Sequence, residues 1–321
     1  MAQVSTPLQV DVRPGRRQRR HLLLVSLRRN YDLYLLILPV IAYFVIFHYI
    51  PMYGVQIAFR DFNPVQGITG SPWAGLKHLT RFFNSFFFFR LIRNTIGISA
   101  YSLLVGIPGP IILAVIFNEV RFKRLSVVSQ TLSYAPSFLS TVVVCGMILI
   151  FLTPETGLAP SILDALGIPH PVSMIAEPQL FWHIYVLSGV WQTIGWGSLI
   201  YTAAMSGIPV EMYEASIIDG ASRMQRITKI TIPSILPTIV IITILSVGSI
   251  MNVGFEKVFL LQNPINLERS EVISTYVYKS GILGAQYSFS AMVGLFNNII
   301  NFAILIAVNW VARNVGETSL W

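Results

Sequence analysis

Six stretches, at residues 33–53, 95–117, 127–152, 184–205, 238–259 and 289–312, are predominantly apolar. Their length constrains the chain more than any other feature. A bilayer core of roughly 30 Å is crossed by about 20 helical residues, which each run supplies. Within that core every backbone N–H and C=O needs a partner in the same segment, so each run reads as a helix. Composition agrees, because 54% of residues are hydrophobic, only 11% are charged and mean hydropathy is +0.66, values foreign to a soluble domain. The expected fold class is an all-α polytopic membrane protein with six transmembrane helices. No low-complexity linker divides the chain, so residues 32–312 form one membrane domain between a tail at 1–31 and a short tail at 313–321.

Six crossings put both termini on one side, and basic residues indicate which. The first tail carries Arg13, Arg16, Arg17, Arg19, Arg20, Arg28 and Arg29, Arg121, Lys123 and Arg124 follow the second span, and Arg223, Arg226 and Lys229 follow the fourth. The loop at 153–183 has only Glu155, Asp164 and Glu177 as charged residues. The positive-inside rule therefore places both termini in the cytoplasm of a multi-pass protein of the cytoplasmic (inner) membrane. A nucleic-acid arm is the competing reading of the arginine run, and the apolar segment directly after it favours a membrane flank. No small-residue cleavage site follows the first span, which reads as a retained anchor. Arg60, Lys77, Arg81, Arg90 and Arg93 oppose the rule, and residues 76–93 are expected to lie on the outer surface as one amphipathic helix with its phenylalanines in the interface. Prolines 154, 160, 169, 171 and 178 prevent residues 153–178 from forming a single helix, which leaves a structured external loop and a docking face.

One long stretch breaks the apolar pattern, GIPVEMYEASIIDGASRMQRITKITIPSILP at 207–237. Pro209 suits a first helical turn, with Glu211 and Glu214 near that helix's positive end. Gly220 after Asp219 reads as a stop, and Ser222 with Gln225 has capping-box spacing, so a second helix is expected to start at once and to run until Pro233. Met224, Ile227 and Ile230 alternate with Arg223, Arg226 and Lys229 in an amphipathic pattern. A solvated loop between two spans is the plain reading of that pattern alone.

The order of residues points further. Glu214, Ala215, Ser216, Gly220, Ile230, Ile232 and Pro233 follow the spacing E-A-A-x3-G-x9-I-x-L-P of permease subunits of ATP-binding-cassette (ABC) importers, with Ser216 and Ile232 as size-preserving departures. The segments NYDLYLLILPVIAYFVIFHYIPMYGVQIAFRDFNP, GLKHLTRFF, RNT, NVGFEKVFLLQNP and GETSLW resemble the carbohydrate-importer branch that contains the lipoprotein-linked multiple-sugar and polysaccharide permeases. The resemblance covers nearly the whole chain. It implies the type I importer permease fold, with residues 207–237 as a cytoplasmic coupling helix between spans four and five. Glu214, Ala215, Ser216, Asp219, Gly220, Ala221, Ile230 and Pro233 would then face a partner ATPase. The implied partners are a second homologous permease, two ABC ATPase subunits that bind ATP and Mg, and an extracytoplasmic solute-binding protein. Substrates in this branch are oligosaccharides and include acidic ones such as alginate and pectin fragments, and an alginate-type importer is one expectation. A passive channel or scaffolding subunit is the alternative, but it has no use for the motif from Glu214 to Pro233.

No chemistry of the chain's own is expected. There is no G-x-x-x-x-G-K-[ST] loop, so ATP is not bound here in the usual way. His21, His48, His78, His170 and His183 show no metal spacing, no Ser/His/Asp set stands out, and an intramembrane enzyme finds no buried acid or dyad beyond Glu256 and His48, both near span ends. The protein reads as no enzyme, without cofactor or metal. The single cysteine, Cys145, reads as a packing residue. Polar and aromatic residues at membrane depth remain: Trp191, Gln192, Trp196 and Tyr201 in the fourth span, Asn252, Phe255 and Glu256 in the fifth, and Asn297, Asn298 and Asn301 in the sixth. Aromatic faces stack on sugar rings and amides pair with hydroxyls, so Trp191 to Glu256, with Asn297 and Asn298, are candidates for a substrate path. Interface belts and helix-to-helix glue are the alternative uses of the same residues.

Overall fold

The computed structural model describes residues 30–120 and 122–315, so the arginine-rich tail and the last six residues lie outside the described part. Among the described residues the structure is helical without a strand, and one isolated bridge pairs Arg60 with Trp73. Two units are distinguished, residues 1–56 and residues 57–321. The first contains α1 (Tyr31–Phe44), continued by a π turn at Val45–Tyr49 and a short helix at Ile50–Met52. The π turn precedes Pro51, whose ring cannot fit the regular ladder.

The second unit is built from α2 (Lys77–Phe83), α3 (Phe88–Gly106), α4 (Pro108–Glu119), α5 (Lys123–Tyr134), α6 (Thr141–Phe151), α7 (Leu158–Ala165) and α8 (Pro178–Ser206). After them come α9 (Val210–Ile218), α10 (Arg223–Arg226), α11 (Ile232–Val247), α12 (Phe255–Leu261), α13 (Leu267–Ser270), α14 (Ile273–Tyr278) and α15 (Tyr287–Val315). By length and apolar composition four helices can cross a membrane: Tyr31–Phe59, Phe88–Glu119, Arg223–Val247 and Tyr287–Asn314. Where the third span is expected, two helices, Arg124–Phe138 and Thr141–Phe151, meet at a bend of 95°. Its break holds Pro136, and Ser140 caps the next helix by accepting from the Val143 N–H at 3.3 Å. The fourth, α8, has 29 residues, long enough to cross, but its composition, with Gln192, Thr193 and three serines, leaves it outside those four.

Two expectations are corrected. Residues 76–93 are not one surface helix: the chain turns at 84–87, and α2 tucks Phe82 completely into a cluster with Leu91, Met251, Ile273, Phe289 and Val293. The aromatic run is too apolar to stay on one face, so part of it joins the core while Phe86 and Phe89 remain exposed. The fifth span does not reach residue 259, because α11 ends at Val247 and helix resumes only at Phe255.

Local chemistry holds the segments after that break. Asn94 donates to the carbonyls of Glu268 and Glu271 at 3.0 and 2.9 Å, and Thr95 accepts from the Ile273 N–H at 3.1 Å. Asn266, fully buried, donates to the carbonyls of Ile175 and Leu261, which ties the proline-rich loop to the end of α12. A second cluster joins Ile98, Cys145, Phe181, Val186, Val258 and Leu261. A third joins Ala114, Tyr201, Met205, Ile208 and Ile235. Gly195 lets α8 lie against the C-terminal end of α5, since a Cβ there would come 1.9 Å from the Ser133 carbonyl oxygen.

Candidate functional site: an elbow and a cleft

Residues 210–231 form an elbow with two reciprocal caps. At the end of α9 the Ala221 N–H donates to Ser216 O at 2.9 Å and the Gly220 N–H to Ile217 O at 3.0 Å, the paired bonds of a Schellman stop. That stop needs a left-handed residue, and Gly220 has φ +76°. Immediately after it, the Ser222 N–H donates to Gln225 Oε1 at 2.7 Å and the Gln225 N–H to Ser222 Oγ at 3.4 Å, a complete capping box. Pro209 stands as the N-cap of α9, one position before the expected first turn.

Pro233 does not end the second helix, contrary to expectation. Helix is continuous over Arg223–Val247 through a π turn at Ile227–Thr231, which re-registers the ladder ahead of the proline. A hydrogen bond of 2.9 Å between the Tyr213 hydroxyl and Thr231 Oγ1, the latter fully buried, pins α9 to this helix. Glu214, Ala215, Asp219 and Gly220 are exposed, Ser216 and Ala221 half-buried, and Ile230 packs against the third cluster. Val210, Met212, Ile217, Ile218 and Met224 are also exposed, Ile218 by 86%. Glu214 and Asp219 form no ion pair among the described residues.

The other feature is a row of adjoining hollows along α8. The first, about 320 Å³, is bordered by Ser102, Tyr185, Ser249, Asn252 and Gly254. The second, about 280 Å³, shares Ser102, Gly106 and Tyr185 with it and adds Gln192, Thr193 and Lys257. The third, about 270 Å³, shares Gln192 and Thr193 and adds Ser137, Phe138 and Trp196. The non-helical backbone at 248–254 borders the first hollow, the setting in which irregular chain is tolerated at membrane depth.

The candidate path residues divide accordingly. Asn252, Gln192 and Trp196 line the row. Gln192 is held by its Nε2 donating to Leu139 O at 2.9 Å, while its backbone carbonyl accepts from Ser137 Oγ at 2.7 Å. Asn252 Oδ1 accepts from Asn297 Nδ2 at 3.1 Å and Asn301 Nδ2 at 3.0 Å, so Asn297 acts behind Asn252. Phe255 stacks on Phe259 and borders a separate apolar hollow with Tyr278 and Ser290. Trp191, Glu256 and Asn298 are exposed and border none of these hollows. Tyr201, 3% exposed, is a packing residue of the third cluster. Sequence reasoning did not assign Tyr185, Ser102 or Lys257 to the site. Lys257 carried a signal, a lone cation in an apolar run.

Residues 106–317 match the family described as the binding-protein-dependent transport system inner membrane component. Among curated relatives, the polygalacturonan/rhamnogalacturonan transport system permease protein YteP of Bacillus subtilis (strain 168) is 37% identical over 97% of this chain and 97% of its own length. Protein LplB of the same organism is 37% identical over 93% of each. Among solved structures, a chain of a bacterial ABC transporter involved in the import of the acidic polysaccharide alginate superposes with a TM-score of 0.85 at 38% identity, covering 91% of this chain and 99% of that one. The same kind of transporter in complex with an alginate pentasaccharide-bound periplasmic protein superposes with a TM-score of 0.86 at 37% identity, over 93% and 99%. The chain therefore belongs to the binding-protein-dependent transport system inner membrane components and has the fold of a type I ABC importer permease.

Proposed function

We propose that this subunit imports oligosaccharides, uronate-bearing ones among them, by alternating access in the cytoplasmic membrane, with six crossings and both termini in the cytoplasm. A binding protein delivers the sugar outside. Two partner ATPase subunits bind ATP with Mg, and a second homologous permease completes the path. The elbow at 210–226 is the coupling helix, and the row of hollows along α8 is this subunit's share of the path, with Gln192, Trp196 and Asn252 at its wall. The substrate class follows the relatives, whose names carry polygalacturonan, rhamnogalacturonan and alginate.

The observation that carries the reading is the doubly capped elbow with its exposed acids and apolar side chains. A solvated loop gains nothing from exposing Val210, Met212, Ile217, Ile218 and Met224 together, whereas a partner that covers them removes that apolar surface from water. In the Gly220→Val variant a β-branched residue meets φ +76°, so the Schellman stop fails and α9 is misplaced. The expected outcome is a normal membrane level and an intact complex with binding-protein-stimulated ATP hydrolysis near background. Glu214→Ala is expected to weaken coupling more mildly. Uptake at the wild-type rate by Gly220→Val in an intact complex would overturn the assignment.

A further inference from the structure

We propose that Lys257 is the residue of this subunit that selects for negative charge, receiving a uronate carboxylate of the oligosaccharide in the hollow between α8 and α12; this rests on the importer reading above. Lys257 is 8% exposed and forms no ion pair among the described residues. A buried cation without a counter-ion is costly, because its lost hydration is not repaid by Coulomb attraction. Its Nζ donates to the Tyr185 carbonyl at 3.0 Å and stands 5.1 Å from the centre of the Tyr185 ring. These contacts hold the ammonium in place and offset part of its desolvation, but they supply no negative charge. An ammonium has three donors, and Tyr185 takes one.

Lys257 also lines the hollow of about 280 Å³ together with Ser102, Gln192 and Thr193. Gly189 keeps that space open, since a Cβ there would sit 3.3 Å from Nζ. The nearest acid in sequence, Glu256, is exposed and lies about 100° further round the helix. A neutral sugar would give the ammonium hydroxyl acceptors without neutralising it. A carboxylate supplies both acceptor and charge, and charge-assisted bonds of this type are the stronger ones. The bland alternative is a tether, with Lys257 serving only to tie α12 to α8.

The two roles respond oppositely to the side chain. In the complete importer reconstituted with its binding protein, uptake of an oligogalacturonate and of an alginate oligosaccharide is measured for the wild type, Lys257→Met and Lys257→Arg. The charge-selecting role predicts that Met lowers uptake of whichever uronate oligomer the wild type carries by about tenfold or more and that Arg keeps most of it. The two probes separate galacturonate from the uronates of alginate as the source of the carboxylate. A tether predicts that Met, apolar and of similar length, is tolerated and the bulkier Arg is not, and that result overturns the proposal. Should Met fail to assemble, Gly189→Ala keeps both helix and charge, crowds Nζ, and is expected to raise the half-saturating uronate concentration severalfold; an unchanged value counts against the proposal. A wild type that carries a neutral oligosaccharide but neither uronate overturns the role of Lys257 and leaves the importer reading intact. A wild type that hydrolyses ATP in a sound complex and carries no oligosaccharide removes both.

Discussion

Asn301 does two jobs with one amide. Its Oδ1 accepts from the Met251 N–H at 2.8 Å, and its Nδ2 donates to Asn252 Oδ1 at 3.0 Å, so it fastens the non-helical segment after α11 onto α15. In Asn301→Leu the buried Met251 N–H loses its partner, at a cost of about 1–3 kcal/mol. The thermal midpoint of the purified complex should fall, while Asn298→Leu, at an exposed position, should leave it where it is; equal midpoints for both would sink this account. The amides at 252, 297 and 301 were legible as polar groups at depth. What they bond to was not, because Ile250, Met251 and Val253 are as apolar as a span and hide the break in the helix. Gly220 was fully legible, since its left-handed φ follows from a local rule about helix ends. Tyr201 was not, because an aromatic side chain at depth looks the same whether it faces a cavity or a packed neighbour.

Elements were readable where short-range chemistry decides them. The stop at Gly220 and the capping box at Ser222 need only four or five neighbouring residues, and both appear as the spacing requires. Pro233 misled because the proline rule presumes a regular i−4 ladder, which the π turn before it suspends. The bend at the third expected span sits beside Pro136, a local signal, and is braced by Gln192 of α8 reaching across to Leu139, a contact that no local window contains. In the loop after α6, His170 faces two acceptors, the Pro171 carbonyl at 3.0 Å and Asp164 Oδ1 at 3.1 Å. Both favour the imidazolium, the backbone bond first, and lift His170 above its ordinary value of 6.5. The folded form is the one with the raised affinity for the proton, so the loop's extra stability is fully present below that value and is lost as pH rises through the higher one. Exchange of the imidazole C2 proton, followed by mass spectrometry, should show a raised titration midpoint that falls back in Asp164→Asn. An unraised midpoint in the wild type would contradict the paired geometry.

At the scale of the molecule, the class of fold was legible because bilayer thickness translates directly into run length. Orientation rests on loop charge, and is tested by fusion. A reporter enzyme active only outside the cell should be silent after Trp321 and active when inserted near Ile168, and the reverse pattern would overturn the topology. The uninterrupted helix of 25 residues from Arg223 to Val247 has a further consequence. At 1.5 Å per residue it is about 37 Å of stiff rod, with the capped elbow at one end and the backbone that borders the first hollow at the other. Its continuous backbone joins the two ends, so a shift of Ser222 along the helix axis would be carried toward the wall at Ser249 and Asn252. Two prolines and a π turn lie along this rod, and they mark where it would yield if the ends were ever to fall out of step.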